Sequence, residues 1–290
     1  MSEKKTVGFV GTGVMGKSMA AHLLKAGHPV HIYTRTKEKA EDLIKQGAQW
    51  KETVAEVAQT SQVVISMVGY PSDVEEVYFG EKGILENAEE GTYLIDMTTS
   101  SPLLAQKIDA RAKELNLHAL DAPVSGGDVG AREARLSIMV GGEKEDFEAV
   151  LPVFELMGQN IVYQGKAGAG QHTKMCNQIA IASGMIGVCE AVIYAEKAGL
   201  DPNTVLKSIE SGAAGSWSLS NLAPRIIKGN FEPGFYVKHF IKDMKIALES
   251  AGEMGILTPG LQLAKDLYEE LAEMGEENSG THALYKRLKA

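Results

Sequence analysis

The stretch TVGFVGTGVMGKSMAAHLLKAGH, Thr6 to His28, decides how the first half of the chain folds. A short apolar run leads into Gly11, Gly13 and Gly16, and apolar residues then return at helical spacing through Met19, Ala20, Leu23 and Leu24. A strand that feeds a glycine-x-glycine-x-x-glycine turn and opens a helix is the context in which this short pattern gains specificity. Each glycine has its own task there. Gly11 permits the tight turn, Gly13 lets the backbone approach a pyrophosphate, and Gly16 lets helix and strand pack closely, with the phosphates at the positive end of the helix. The competing reading is a glycine-rich turn without a ligand. The surrounding pattern favours a dinucleotide.

Outward from that motif, short β-branched runs alternate with amphipathic stretches. Strands are expected at TVGFVG, PVHIYT, QVVISMV, TYLIDM, LHALDA, LSIMVGG and NIVYQG, with helices such as Lys37 to Gln46 and Pro102 to Leu115 between them. Such alternation builds βαβ units and a mainly parallel, doubly wound sheet. After the glycine-rich break GKAGAGQ the strand signal ends. A helix of about thirty residues from Gly170 to Ala198 is followed by four further helical stretches, DPNTVLKSIESG, GSWSLSNLAPRIIKG, VKHFIKDMKIALESAGEMG and PGLQLAKDLYEELAEMG. The expected fold is an α/β Rossmann-type domain over residues 1–164 and an all-α domain over 165–290, with the long helix between them at about 170–198.

Composition limits the function classes. A net charge of -9 with no dense Lys/Arg cluster argues against a nucleic-acid partner. Ile179 to Ala195 is apolar but carries Ser183, two glycines and Glu190, which reads as a buried helix and not a membrane span. Cys176 and Cys189 fall on that one helix, about 20 Å apart at the helical rise, too far to pair. Two isolated thiols and an N-terminus, MSEKK, without an apolar leader fit the cytoplasm. No histidines and carboxylates stand at metal-ligand spacing, so no metal is expected.

The strand PVHIYT should end at the adenosine ribose. An acidic residue there would read the ribose hydroxyls of NAD, but this chain has Thr34, Arg35, Thr36, Lys37 and Lys39. That cluster suits a 2′-phosphate and favours NADP over NAD.

Three further stretches, DAPVSGG (Asp121 to Gly127), GAGQHTKMCNQ (Gly168 to Gln178) and IKDMKIA (Ile241 to Ala247), follow GTGVMGKSMA in order. Together they closely resemble the signatures of the β-hydroxyacid dehydrogenase family, which includes 3-hydroxyisobutyrate dehydrogenases, tartronate semialdehyde reductases and succinic or glyoxylic semialdehyde reductases. The resemblance spans nearly the whole chain. It implies a Rossmann domain, a helical domain of the 6-phosphogluconate dehydrogenase kind, an active site in the cleft between them, and a homodimer or homotetramer. Carried over by position, Gly11, Gly13, Val14, Met15 and Gly16 would bind the pyrophosphate, and Arg35 and Thr36 would meet the adenosine end. Met67 and Val68 would line the adenine and ribose side, Thr99 would lie near the nicotinamide, and Lys242 would approach the cofactor. Ser125, Gly126 and Gly127 would anchor a substrate carboxylate, and Lys174 matches the catalytic lysine. His22 and Gln178 stand where many members have Asn, which bears on the substrate and not on the reaction class.

Elementary chemistry supports these roles. An ammonium beside a carbonyl oxygen stabilises the developing alkoxide and can deliver its proton. Asn177 and Gln178, three and four positions after Lys174 on a helix, share its face, so their amides are expected to orient lysine or substrate. VSGG offers unhindered backbone N–H groups and one hydroxyl, a nest for an oxyanion, and lacks the G-x-S-x-G elbow of a hydrolase. Trp217 is read as plugging the helical core in preference to roofing a pocket. His172 and His239 are read as surface or packing residues. The leading expectation is an NADP- or NAD-dependent oxidoreductase interconverting a small hydroxy acid and its semialdehyde. The alternatives are an imine reductase, against which Lys174 speaks, and a non-catalytic nucleotide-binding scaffold.

Overall fold

In the computed structural model, which describes residues 4–290, the chain divides into two units at Lys174 and Met175. The first unit is the α/β one. Its strands run β1 (Val7–Val10), β2 (Val30–Tyr33), β3 (Gln49–Trp50), β4 (Val63–Ser66), β5 (Tyr93–Asp96), β6 (His118–Asp121), β7 (Val124–Ser125), β8 (Leu136–Gly142) and β9 (Gly158–Gly165). Among the described residues they make one sheet, in the order β3-β2-β1-β4-β5-β6-β8-β7, with β9 beside β8. The pairs from β3 through β6 are all parallel; β8 turns antiparallel to β6 and β7. β1 and β4 are buried along their whole length, which explains why VGFV and VVIS carry no polar alternation. Helices α1 (Gly16–Lys25), α2 (Glu41–Lys45), α3 (Val54–Gln59), α4 (Pro71–Phe79), α5 (Pro102–Glu114), α6 (Gly127–Arg132) and α7 (Lys144–Phe154) complete the unit.

Each of the seven expected strands forms. The two-residue strands β3 and β7 escaped the pattern, because two residues have no measurable period. The expected helix Lys37 to Gln46 divides into a 3₁₀ turn, Lys37–Ala40, and α2.

Helix α8 (Ala169–Lys197) runs unbroken out of the first unit into the second. The division falls inside this helix, whose opening turn is fastened to Asp121 of the first unit. In the second unit the buried residues Met175, Ala182, Met185, Val188, Cys189, Val192 and Ala195 recur at three- and four-residue steps along α8. They join a helical core with α9 (Pro202–Ile209), α10 (Trp217–Asn221), α11 (Ala223–Ile227), α12 (Val237–Glu253), α13 (Pro259–Leu271) and α14 (Leu284–Lys289).

Three expectations need correction here. Although α8 is long and apolar enough to cross a membrane, it is neither all buried nor all exposed. One stripe feeds the core, while Ser183, Gly184 and Gly187 face outward and Tyr194 is 75% exposed. The stretch from Ser216 to Lys228 is two short helices, since Pro224 lacks the N–H that a continuous helix needs and its ring clashes one turn back. Trp217 is 59% exposed, not a core plug. Helix α10 buries Leu219, two positions on, and residues two apart point to nearly opposite sides of a helix.

Candidate active site

The glycine turn lies where the strand order reverses, between β1 and β4, the position at which open α/β sheets bind ligands. Gly11 has a φ of +97°, and its N–H donates to the Tyr33 carbonyl at 2.8 Å. A Cβ on Gly11 would lie 2.3 Å from the Met67 carbonyl oxygen, and one on Gly16 only 2.0 Å from that of Gly11. A Cβ on Gly13, in contrast, would meet no atom within 4 Å. Turn geometry and packing thus explain Gly11 and Gly16, whereas at Gly13 the chain leaves open space beside exposed backbone. Beside it the Thr12 hydroxyl is buried without a hydrogen-bond partner. The first turn of α1 leaves N–H groups unused by the helix. A cradle left open, an orphaned hydroxyl and a helix N-terminus fit a pyrophosphate-bearing dinucleotide.

Val14 and Gly13 are exposed and Met15 is half-buried at the same turn. Met67 and Val68 follow β4 and are half-buried; the Val68 N–H donates to the Thr98 hydroxyl at 3.0 Å. Thr98 and Ser100 are buried, and Thr99 between them is the half-buried member. At the end of β2, Arg35 is 80% exposed by its side chain and 3.4 Å from the Asp73 carboxylate, while Thr36 precedes the 3₁₀ turn and is exposed.

The Ser125–Gly127 bend and Lys174 meet in this same unit. Val124 and Ser125 pair with β8, and the chain then bends through Gly126 and Gly127 at φ +132° and +63°, backbone angles that favour glycine. Lys174 is buried, 6% exposed, and its Nζ donates to the Val124 carbonyl at 2.9 Å. The ammonium is thereby held at the residue immediately before Ser125, Gly126 and Gly127.

Asp121 fixes the start of the helix that carries Lys174. Its buried carboxylate, at the end of β6, accepts from the N–H groups of Gly168 and Gln171, both at 2.8 Å, and so caps the start of α8. Glycine at 141 and 170 makes room, for a Cβ at either would come within 3 Å of that carboxylate. Burial pushes the Asp121 carboxyl up to about 7, against the pull of those N–H groups; Asp96 nearby adds to the rise.

The second unit holds its own polar chain. Asn177 donates to the Gln178 carbonyl oxygen at 2.7 Å, Gln178 donates to Asp243 at 2.6 Å, and Lys242 lies 2.8 Å from the same carboxylate. Gln178 is fully buried, and its amide is engaged by Asn177 on one side and Asp243 on the other. Asn177 stays half-buried.

Comparison with known proteins decides the relationship. Residues 6–165 match the NAD binding domain of 6-phosphogluconate dehydrogenase, and residues 168–288 match the NAD-binding domain of NADP-dependent 3-hydroxyisobutyrate dehydrogenase. The chain is 70% identical over 283 residues to the uncharacterized oxidoreductase YkwC of Bacillus subtilis, covering 98% of both. It is 39% identical to the 2-hydroxy-3-oxopropionate reductase of Escherichia coli, covering 97% of this chain and 96% of that one. The solved structure of Mycobacterium tuberculosis 3-hydroxyisobutyrate dehydrogenase with L-serine superposes with a TM-score of 0.90 at 30% identity, over 99% of this chain and all of that one. The chain belongs to the β-hydroxyacid dehydrogenase family.

As a β-hydroxyacid dehydrogenase it is an oxidoreductase that uses a nicotinamide cofactor. Two features of the site are not apparent in the sequence alone. Asp121 lay inside the quoted DAPVSGG, yet nothing in the sequence tied it to a helix that starts 48 residues later at Ala169. Asp243 lay next to Lys242 in IKDMKIA, and its buried bond to Gln178 spans 65 positions. For Asp121 the signal was an acidic residue closing the apolar run LHALDA; Asp243, flanked by Lys242 and Lys245, carried none.

Proposed function

We propose that this chain catalyses the NADP-dependent interconversion of a small carboxylate-bearing aldehyde and its hydroxy acid, a 3-hydroxyisobutyrate dehydrogenase-like or semialdehyde reductase activity. The observation that carries this reading is the Lys174 ammonium, buried and held 2.9 Å from the Val124 carbonyl beside the Ser125–Gly127 bend. The names of the relatives, acting on small hydroxy acids and oxo acids, support it.

When bound, a nicotinamide cofactor supplies or accepts the hydride. Gly11, Gly13, Val14, Met15 and Gly16 would hold its pyrophosphate, and Met67, Val68, Thr99 and Lys242 would be further contacts to it. Arg35 and Thr36 read the 2′-phosphate, which favours NADP. The substrate acid binds the N–H groups of Gly126 and Gly127 and the Ser125 hydroxyl. Lys174 donates a hydrogen bond to the substrate carbonyl oxygen and gives it the proton from Nζ; in the reverse direction it takes that proton back. Asn177 orients the substrate, and Gln178 orients Asn177. The enzyme works in the cytoplasm as a homodimer or homotetramer.

The test is an activity matrix. NADPH and NADH are each paired with methylmalonate, tartronate and succinic semialdehydes and glyoxylate, with a cyclic imine as control. Reduction of one or more acid-bearing aldehydes, faster with NADPH, is expected. Cofactor binding without reduction of any of them contradicts the proposal.

A further inference from the structure

The side chain of Gln171 is fully buried and has been given no role above. Its amide oxygen accepts from the Ser100 N–H at 2.9 Å, and its amide nitrogen donates to the Thr98 carbonyl at 2.7 Å. The two contacts flank Thr99 on either side. Gln171's own N–H is pinned by Asp121, and Lys174 follows three residues later on the same helix, near the same face. On the other side of the loop, Thr98 donates its N–H to Asp96 and accepts from Val68. One buried chain of hydrogen bonds thus runs from the strand ends at Val68 and Asp96, through the Thr98–Ser100 loop and Gln171, to the turn of α8 that carries Lys174.

We propose that Gln171 is a positioning residue, whose two-point clamp on the Thr98–Ser100 loop fixes the distance between Thr99 and the Lys174 ammonium. The inference rests on the roles proposed for those two residues. A primary amide suits the task because it offers one donor and one acceptor side by side, matching the C=O and N–H that flank a single residue. Neither hydrogen bond reaches water, so the loop cannot exchange them for solvent without leaving buried groups unpaired. Displacement of a reacting group by about 1 Å costs on the order of a hundredfold in rate.

Two variants separate positioning from mere folding. Gln171→Met keeps the shape and removes both bonds. Gln171→Glu keeps the shape and, while protonated, keeps one donor and one acceptor; once ionised it loses the donor to Thr98. Asp121, Asp96 and Lys174 are ionisable groups around this position too, but they are common to the wild type and the variants. Turnover of tartronate semialdehyde, or of succinic semialdehyde if that is reduced faster, is followed with NADPH from pH 5 to 9, alongside NADPH affinity by fluorescence and thermal unfolding. Gln171→Met is expected to lower kcat by about ten- to a hundredfold while KM for NADPH stays within about threefold. Gln171→Glu is expected to approach wild-type turnover at the acid end and to lose it as pH rises, through an ionisation absent from the wild type, with NADPH affinity unchanged. A Gln171→Glu profile parallel to that of the wild type, or a kcat for Gln171→Met within twofold of it, overturns the proposal. Lys174→Ala is measured in parallel: turnover that survives there removes the underlying reading, whatever the Gln171 variants do.

Discussion

Gly13 and Gly16 belong to one motif but answer to different forces. At Gly16 the constraint is packing, because a methyl group would lie 2.0 Å from the Gly11 carbonyl oxygen. Gly16→Ala is therefore expected to cost about 1–3 kcal/mol of stability, read by urea unfolding. Gly13 faces open space, so Gly13→Ala is expected to leave stability within about 0.5 kcal/mol and to weaken NADPH about tenfold or more. Equal loss of stability in the two variants would contradict this division. Arg35 makes the complementary case. Its pair with Asp73 is long and exposed, and such pairs contribute ~0–1 kcal/mol. Arg35→Ala should therefore leave the melting temperature unchanged while weakening NADPH far more than NADH; equal weakening would mean that the arginine does not read the phosphate. The glycine motif was legible in sequence because backbone permissiveness is a property of the residue itself. The orphaned Thr12 hydroxyl was not, since burial depends on everything around it.

At the scale of the element, α8 is held by a carboxylate that lies 47 residues before Gly168. Burial keeps the Asp121 carboxyl near 7 in the folded chain, well above the 3.8 of an unperturbed aspartate. Between those values the folded protein holds a proton that the unfolded chain has released. Its contribution to stability is complete below about pH 4 and is lost as pH rises through 7, by at most about 4 kcal/mol. Asp121→Asn should remove that slope, seen as a flatter dependence of unfolding free energy on pH between 4 and 7. Parallel curves for the wild type and the variant would contradict it. Long elements were the legible ones: α8 shows in the sequence as a periodic apolar run, and α5 as a stretch opened by Ser101 and Pro102. Strands β3 and β7 and the short α14 were not, because a few residues carry no period and are set by what pairs with them.

For the whole molecule, the order of the four motifs made the fold readable before any contact was known, and the Rossmann-then-helical architecture follows it. The partner of Gln178 and the exposure of Trp217 were not legible in the sequence. Helical spacing fixes which face a residue occupies, not whether a distant Asp243 or open solvent lies opposite. A ligand that binds only the folded state stabilises it by mass action, so NADPH at a hundred times its Kd should add about 2.7 kcal/mol to unfolding. In light scattering, the protein is expected at two or four times the 31.1 kDa of one chain; a monomer would contradict the proposed assembly.

The buried ammonium beside the glycine bend is tested most directly by steady-state kinetics of Lys174→Ala. With NADPH and the best semialdehyde, kcat should fall by about a hundredfold or more while the affinity for NADPH is kept. A variant that turns over within a few-fold of the wild type would show that the proton passes through another group.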